Sequence, residues 1–230
     1  MVILKRAFDL LISTLVILGV LSWLLPILAW MIKRDSPGPV FFVQKRVGKA
    51  GKLFRCFKLR SMVVNQHADQ HPVAGGDGRI TPLGSWLRLS HLDELPQFFN
   101  VFLGSMSLVG PRPYMPSDCH RFAMIIPDPG LREQVKPGIT GMAQSKGLHG
   151  IVCHRDTLLQ RYYWDDHYVR NGSLVLDMKI LWSTFLNLLL RRRPDVPRES
   201  ASAPSDQISV LHLGKRKALV RRLHSPRRSH

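Results

Sequence analysis

The apolar positions are most concentrated at the start of the chain. From Leu10 to Ile32 no residue is charged, and a helix over this run, rising about 1.5 Å per residue, is long enough to cross a hydrocarbon core of about 30 Å. Basic pairs lie on both sides of the run, at Lys5-Arg6 and Lys33-Arg34. Because basic flanks favour the cytoplasmic side, this symmetry predicts a hairpin that enters and leaves the membrane on one face. Residues 1–35 are therefore predicted to form a membrane helix.

Pro26 gives this helix a place to break, since proline donates no backbone hydrogen bond and clashes with the carbonyl four residues earlier. Ser22 lies one turn upstream and offers a hydroxyl to the freed backbone. The alternative is a proline-kinked helix that spans the membrane completely, because transmembrane helices tolerate proline. We predict membrane attachment, with a re-entrant helix favoured over a full span.

A β-hairpin is predicted next. Residues 40–47 and 52–59 have the pattern of two strands, separated by a glycine-containing turn. Arg55, Lys58 and Arg60 follow one another along the second arm, where they are suited to bind phosphate. The spacing fits equally well with cations that only face solvent or lipid headgroups.

Residues 65–79 are polar and contain several glycines, which indicates a loop. Thr81 followed by Pro82 is typical of a helix N-cap with proline at the first helical position. Apolar residues then recur on one face of a short amphipathic helix, and this helix carries Arg88.

The acidic pair Asp93-Glu94 follows this helix. A second helix that starts at Asp93 keeps Pro96 in the first turn, where proline is tolerated, so Asp93 is predicted to be its N-cap. A capping aspartate stabilises a helix by about 1 kcal/mol. The same carboxylate at the positive end of a helix dipole is also suited to attack a phosphoryl group or to bind a divalent cation, with Glu94 in proton transfer or metal positioning. Arg88 and Arg112 are the nearest cations in sequence that would offset repulsion between these carboxylates and a diphosphate.

The end of the chain contains two different patterns. Residues 174–190 form a long apolar helical pattern that fits either a helix in the membrane interface or ordinary core packing. From Arg191 onward the chain is basic, contains scattered proline and serine, and has few large apolar residues. This composition predicts a disordered tail over residues 191–230, which leaves residues 36–190 as a single catalytic domain.

Charge narrows the choice of partners. The 230 residues include 33 Lys and Arg against 16 Asp and Glu, a net charge of +17, which indicates an anionic partner such as nucleic acid, phospholipid headgroups or a phosphorylated substrate. No nucleic-acid-binding motif accompanies the charge, so we expect no nucleic-acid partner. Three widely spaced cysteines without a CxxC pair predict neither a disulfide framework nor a structural zinc site, and fit a cytosol-facing domain.

Several motifs in order make the chain resemble the bacterial sugar transferases, also called monotopic phosphoglycosyl transferases. Any one of the motifs is modest evidence, but the ordered set is specific and extends over most of the chain. The matching segments are Ser36-Pro37-Gly38-Pro39 with the strand after it, Lys58-Leu59-Arg60-Ser61-Met62, Arg79-Ile80-Thr81-Pro82-Leu83-Gly84, Leu92-Asp93-Glu94-Leu95-Pro96-Gln97, Val109-Gly110-Pro111-Arg112-Pro113, Lys136-Pro137-Gly138-Ile139-Thr140-Gly141 and Tyr162–Val169.

The resemblance implies an α+β membrane-associated monotopic enzyme with a broken N-terminal helix, a β-hairpin and several amphipathic helices. It also implies transfer of a sugar phosphate from a UDP-sugar to a polyprenyl (undecaprenyl) phosphate, with release of UMP, at the cytoplasmic face of the bacterial inner membrane. Such a step would initiate exopolysaccharide, O-antigen or related glycan synthesis, with downstream glycosyltransferases as possible partners. The remaining alternatives are an inactive membrane adaptor of the same fold and, less favoured, a basic nucleic-acid-binding protein.

Residue roles also follow from the resemblance. Asp93 is implied to be the nucleophile that forms a covalent phosphosugar intermediate and to bind Mg²⁺, with Glu94 as its partner. The phosphate-binding residues would be Lys58, Arg88 and Arg112. Further candidates for the site are Arg60, Pro113, Gln144 and Asp165, of which Asp165 has the alternative of simply pairing with a cation.

Overall fold

A computed structural model describes residues 2–64, 77–126, 128–149 and 155–190. These residues belong to one compact unit. Most of the predicted loop over residues 65–79 and all of the predicted tail over residues 191–230 lie outside the described residues.

The N-terminal segment is one uninterrupted helix of 34 residues, long and apolar enough to cross a membrane by length and composition. Pro26 lies inside it, and the helix does not stop there. The departure from α-helical geometry is one π-helical segment directly before the proline-containing stretch. The chain nevertheless stays helical from Val2 to Asp35, so the predicted break of the helix is not seen. Ser22 Oγ donates to the Leu18 carbonyl at 2.6 Å within this irregular region. The three parts are α1 (Val2–Val16), the π-helical segment (Ile17–Leu21) and α2 (Ser22–Asp35).

Both ends of this helix pack against the same globular unit. Phe8 and Ile12 of α1 pack on a buried cluster that includes Leu108. Leu28 and Ile32 of α2 are buried in a second cluster with strand and helix residues of the globular part. The N-terminal helix therefore lies along the globular unit and contacts it near both ends.

The predicted β-hairpin is confirmed. Strands β1 (Phe41–Val47) and β2 (Leu53–Leu59) pair antiparallel, with Phe42 opposite Lys58. The predicted helix start is also confirmed: α3 (Pro82–Leu89) begins after Thr81, whose side chain accepts a hydrogen bond from the Gly84 amide at 2.9 Å.

The prediction that Asp93 caps the next helix is wrong. Residues Leu92–Glu94 form a short 3₁₀ turn that follows His91, which has a left-handed backbone with φ of 58°. The helix α4 (Gln97–Leu103) starts only after Pro96, which is its N-cap. Because proline lacks an N–H and fixes its own φ, the helix begins behind it and the acidic pair stays on the preceding turn. The Asp93 side chain is therefore not used as a cap.

A short parallel pair that the sequence patterns did not predict leads to Arg112. It consists of β3 (Ser107–Val109) and β4 (Gly138–Thr140), and their backbones approach closely. A Cβ atom on Gly138 would lie 2.1 Å from the Gly110 nitrogen, so only glycine fits at this crossing.

The last helix, α8 (Leu174–Leu189), combines the two alternatives considered for it. Asp177 and Ile180 are buried against the globular unit, whereas Val175, Trp182 and Phe185 on the other side are exposed. One face therefore packs in the core while an apolar face points outward. The remaining helices are α5 (Pro116–Ala123), a 3₁₀ helix (Pro129–Gln134), α6 (Met142–Ser145) and α7 (Arg155–Asn171).

Candidate active site

The Asp93-Glu94 pair lies in a cavity of about 1530 Å³ between β2, α3, the segment after β3 and α8. The cavity is strongly basic, as expected for a site that receives an anion. One side is apolar and is lined by side chains such as Trp86, Leu89 and Phe185. The charged side chains that line it are Arg46, Lys58, Arg60, Arg88, Arg112, Arg121 and Arg161 against Asp93, Glu94 and Asp118.

Glu94 is held between two cations. Its Oε1 accepts from Lys58 Nζ at 2.6 Å and from Arg112 Nη2 at 3.0 Å. Burial alone would raise the pKa of Glu94, but Arg112 and Lys58 outweigh burial and hold this pKa well below its usual range. The side chain is thus an ionised anion that joins β2 to the segment after β3 and is a poor proton acceptor at neutral pH.

Asp93 has the opposite environment. It is buried, with 8% of its surface exposed, yet within the described part of the chain its carboxylate makes no hydrogen bond and no ion pair. Burial raises the pKa of Asp93, and the nearby Lys58 ammonium partly opposes that rise. A buried carboxylate without protein donors retains its lone pairs for an electrophile or a cation.

Arg88 and Arg112 approach the acidic pair from different elements. Arg88 extends from the last turn of α3, and its Nε donates to Ser61 Oγ at 2.8 Å, which orients the guanidinium. Burial lowers the pKa of Arg88, with Asp93 acting in the opposite direction. In the described ranges, the terminal nitrogens of Arg88 make no hydrogen bond to protein, so they are available to a phosphate.

Asp165 lies away from this cavity and pairs with a cation, the alternative considered for it. Its Oδ2 lies 2.7 Å from Arg132 Nη2, and the same arginine donates to the Arg112 carbonyl at 3.0 Å. Arg132 also covers the ring of Tyr114 at 4.3 Å. Burial raises the pKa of Asp165, and Arg132 opposes this effect. Asp165 thereby supports the backbone that carries Arg112.

The three other predicted residues, Arg60, Pro113 and Gln144, make different kinds of contact. The Arg60 guanidinium donates to the carbonyls of Ile32, at 3.1 Å, and of Ser36, at 2.6 Å, at the end of α2, so it connects the N-terminal helix to the end of β2. Pro113 contributes its carbonyl to Arg46 at 3.3 Å. Gln144 lines the cavity, and its Oε1 is buried without a hydrogen-bond partner among the residues that the structure describes.

His149 also lines the cavity and was missed by the sequence patterns. Its ring lies 6.0 Å from that of His91, and Arg161 donates to its carbonyl at 2.6 Å. Burial, followed by His91 and nearby arginines, lowers the pKa of His149 to about 4. The side chain is therefore neutral at physiological pH. It stands in no recognisable motif, and only the fold brings it to the site.

A metal would have to share its ligands with a substrate here. In the residues that the structure describes, no group of three His, Cys, Asp or Glu side chains is arranged to hold a metal ion. Mg²⁺ commonly binds through one or two carboxylates together with substrate phosphates and water. The unpaired carboxylate of Asp93 fits that kind of site, whereas Glu94 is already neutralised by two cations.

The chain matches a known protein family over most of its length. Residues 1–191 match the family model described as "Bacterial sugar transferase". The exopolysaccharide production protein PSS of Rhizobium leguminosarum bv. phaseoli is 41% identical over 204 residues, covering 82% of this chain and 96% of that protein.

Two relatives are named by their reactions. The UDP-glucose:undecaprenyl-phosphate glucose-1-phosphate transferase of Klebsiella pneumoniae is 41% identical over 181 residues, 78% of this chain and 39% of that protein. The UDP-N-acetylgalactosamine-undecaprenyl-phosphate N-acetylgalactosaminephosphotransferase of Aeromonas hydrophila is 42% identical over 187 residues, 80% of this chain and 43% of that protein. The chain thus spans about two-fifths of the length of these two relatives.

Proposed function

This chain belongs to the bacterial sugar transferase family, and we propose that it moves a sugar 1-phosphate from a UDP-sugar to a polyprenyl phosphate, releasing UMP. The observation that carries the proposal is the environment of Asp93. Its buried carboxylate has no partner among the described residues and lies in a cavity where arginines and a lysine outnumber acidic groups. Relatives with different named sugars, glucose and N-acetylgalactosamine, leave the sugar of this chain undefined.

The first chemical step follows from the unpaired carboxylate. An Asp93 oxygen attacks the phosphorus that carries the sugar, forming an aspartyl phosphosugar, while the bond from this phosphorus to the bridging oxygen breaks. The bridging oxygen leaves with UMP. Arg88 and Arg112 are placed to stabilise the charge on the phosphoryl oxygens and on the departing phosphate.

Glu94 supports this step without exchanging a proton. Its two ion pairs fix Lys58 and Arg112 at the edge of the cavity, so that these cations need little reorganisation when a diphosphate enters. We assign Glu94 to positioning these cations, in place of the proton transfer considered from its sequence position.

The second step returns the enzyme to its starting state. A phosphate oxygen of the polyprenyl phosphate attacks the same phosphorus, the bond to Asp93 breaks, and the carboxylate is regenerated. The cavity suits such an acceptor, because its basic centre adjoins the apolar side lined by Trp86, Leu89 and Phe185. A lipid phosphate has the same two parts, a charged head and an apolar chain.

We propose Mg²⁺ as the cofactor, held by Asp93 together with donor phosphate oxygens. When bound, the ion would neutralise diphosphate charge that arginines alone leave in place.

The membrane arrangement is proposed as well. Residues 1–35 would form a re-entrant anchor and residues 36–190 a catalytic domain on the cytoplasmic face of the bacterial inner membrane. Contact of both helix ends with one globular unit supports this topology, and so does the outward apolar face of α8. Cysteines introduced before Lys5 and after Arg34 should be labelled from the same side of the membrane; labelling from opposite sides would establish a full span.

The reaction is tested with purified protein, Mg²⁺, a polyprenyl phosphate and a panel of UDP-sugars. We expect UMP release with at least one donor, no release after Asp93→Asn, and a lower rate without Mg²⁺. Release of UMP at the same rate by the Asp93→Asn protein would overturn the assignment of the nucleophile. A wild-type protein that releases no UMP with any donor would instead favour the inactive membrane adaptor.

A further inference from the structure

A set of buried polar contacts connects the membrane helix to the strand that leads to Arg112. We infer that Asp9 and Lys5 of α1 are positioning residues, which hold β3 so that Arg112 reaches the active site. The catalytic part of this inference rests on the proposed function. The structural part, a clamp from the membrane helix onto β3, does not.

Asp9 forms the first contact. It lies in the apolar N-terminal helix, yet only 2% of its surface is exposed. Its Oδ1 accepts from the Leu108 amide at 3.0 Å and from Ser107 Oγ at 3.1 Å. A carboxylate on α1 therefore binds both the backbone and a side chain of β3.

Lys5 forms the second contact one turn earlier. Its Nζ donates to the Val109 carbonyl at 3.2 Å and forms an ion pair with Asp177 of α8. The Tyr168 hydroxyl donates to Asp177 at 2.7 Å and lies 3.0 Å from the same Val109 carbonyl. Burial, reinforced by Asp177, raises the pKa of Tyr168, so its hydroxyl keeps its proton. Every residue of β3 is thus bonded by a side chain from outside the strand.

Strand β3 depends on such contacts because it is only three residues long and pairs with an equally short strand. The connection from Val109 to Arg112 is stiff. The Gly110 amide donates to Thr140 at 2.9 Å, and Pro111 accepts from Gly138 at 3.0 Å. A shift of β3 would therefore pass to Arg112 and to its ion pair with Glu94.

Membrane anchoring alone does not explain a buried charge at Asp9. Asp9 and Lys5 precede the uncharged run from Leu10 to Ile32, and Asp9 is buried against the protein, where a carboxylate is costly unless it is paired. Here both charges are directed at the one strand that continues into a phosphate-binding arginine. The contacts thus connect membrane attachment to the geometry of the active site.

The test uses the full chain in lipid nanodiscs and three variants of the helix. Asp9→Val removes the acceptor, and Asp9→Asn restores one acceptor oxygen. Ser13→Ala is the matched control, because Ser13 is equally buried but, among the described residues, its hydroxyl bonds only Leu10 of its own helix. We expect Asp9→Val to lower kcat/KM for UMP release by about 10- to 100-fold. Asp9→Asn should recover most of that loss, and Ser13→Ala should match the wild type.

Two further readouts separate positioning from general instability. Combined with Arg112→Gln, Asp9→Val should cause no additional loss, because both changes remove the same interaction. Hydrogen exchange of residues 107–113 should accelerate in Asp9→Val, while exchange of the hairpin over residues 41–59 stays unchanged. The exchange measurement also decides the clamp if the wild type proves inactive, an outcome that would count against the proposed function alone.

Three results would overturn the inference. They are full activity of Asp9→Val, a loss of activity that multiplies with the loss caused by Arg112→Gln, and equal acceleration of exchange in residues 107–113 and 41–59. Should Asp9→Val fail to fold, Ser107→Ala removes one of the same hydrogen bonds from the strand side. The same pattern of non-additivity and local exchange is then expected with a smaller amplitude, and its absence overturns the inference.

Discussion

Two regions of this molecule bury carboxylates in opposite ways. In the first region, around β3 and α7, three aspartates are at most 2% exposed: Asp9, Asp165 and Asp177. Each of them forms an ion pair or accepts hydrogen bonds. In the cavity, Asp93 is nearly as buried but has no donor among the described residues. Burying an unpaired charge is costly, so the paired carboxylates are suited to hold the fold together and the unpaired one to react.

The same contrast exists between neighbours in the chain. Asp93 and Glu94 are adjacent, but their pKa values move in opposite directions, upward by burial for Asp93 and well downward for Glu94, where two cations outweigh burial. Environments that separate two carboxylates in this way are typical of sites in which each has a different role.

The largest effect is expected from Asp93→Asn. The reaction rate should fall by a factor on the order of 1,000 or more, because an amide is not a competent nucleophile. The unfolding temperature should stay the same or rise, since a buried unpaired charge is removed. Steady-state UMP release and thermal unfolding check both parts, with the partly exposed Asp166→Asn as the matched control. A clear drop in unfolding temperature would show that Asp93 supports the fold after all.

Asp165→Asn should mainly lower stability, the reverse of the pattern expected for Asp93→Asn. It leaves the buried Arg132 guanidinium without its anion, which is expected to lower the free energy of unfolding by about 3 kcal/mol. Chemical denaturation of the detergent-solubilised protein measures this change. If stability were unaffected while catalysis was abolished, Asp165 would have to be reassigned to the reaction.

The acid limb of the rate profile should move when Lys58 is replaced. The proposed nucleophile, Asp93, would react as the carboxylate, so activity is expected to be lost as pH falls through its raised pKa. Lys58 is the largest influence that lowers this pKa. Lys58→Met should therefore shift the acid limb of kcat/KM to higher pH, whereas Lys45→Met, which changes an exposed lysine of β1, should leave it in place. A shift to lower pH in Lys58→Met would contradict the assignment.

The smallest effect, on the free energy of unfolding, is expected for the partly exposed ion pair on α7. Asp166 pairs with Arg170 one turn further along α7, and both side chains are partly exposed. Because such pairs contribute little, Asp166→Asn should change the free energy of unfolding by less than about 0.5 kcal/mol. A loss comparable with that of Asp165→Asn would remove the distinction between the two adjacent aspartates.

Local patterns predicted the elements that local chemistry determines. The hairpin follows from its two short strands and their turn, and the start of α3 follows from Thr81 and Pro82. The position of Asp93 was mistaken because Pro96 begins α4 itself, which leaves the acidic pair on a 3₁₀ turn. A capping pattern in the sequence does not specify which of two neighbouring turns it belongs to.

The rest of the site depends on contacts between distant segments. The three residues of β3 are too few to show a strand period, and their partner in β4 lies about thirty residues later in the chain. The partners of Asp9 and Asp165 are also remote in the sequence, and they depend on how helices pack. For this reason the sequence motifs pointed to Asp93, Glu94 and Arg112, which the fold brings to one cavity, but not to the contacts that hold them in position.

The central claim, that Asp93 is the nucleophile, is tested most directly by trapping the intermediate. The protein is incubated with Mg²⁺ and a UDP-sugar that carries radioactive phosphorus in its β-phosphate, and the lipid acceptor is withheld. We predict that label stays on the protein, that tandem mass spectrometry locates it on Asp93, and that added polyprenyl phosphate removes it into lipid. Label on another residue, or no labelled protein under conditions in which the complete reaction proceeds, would contradict the claim.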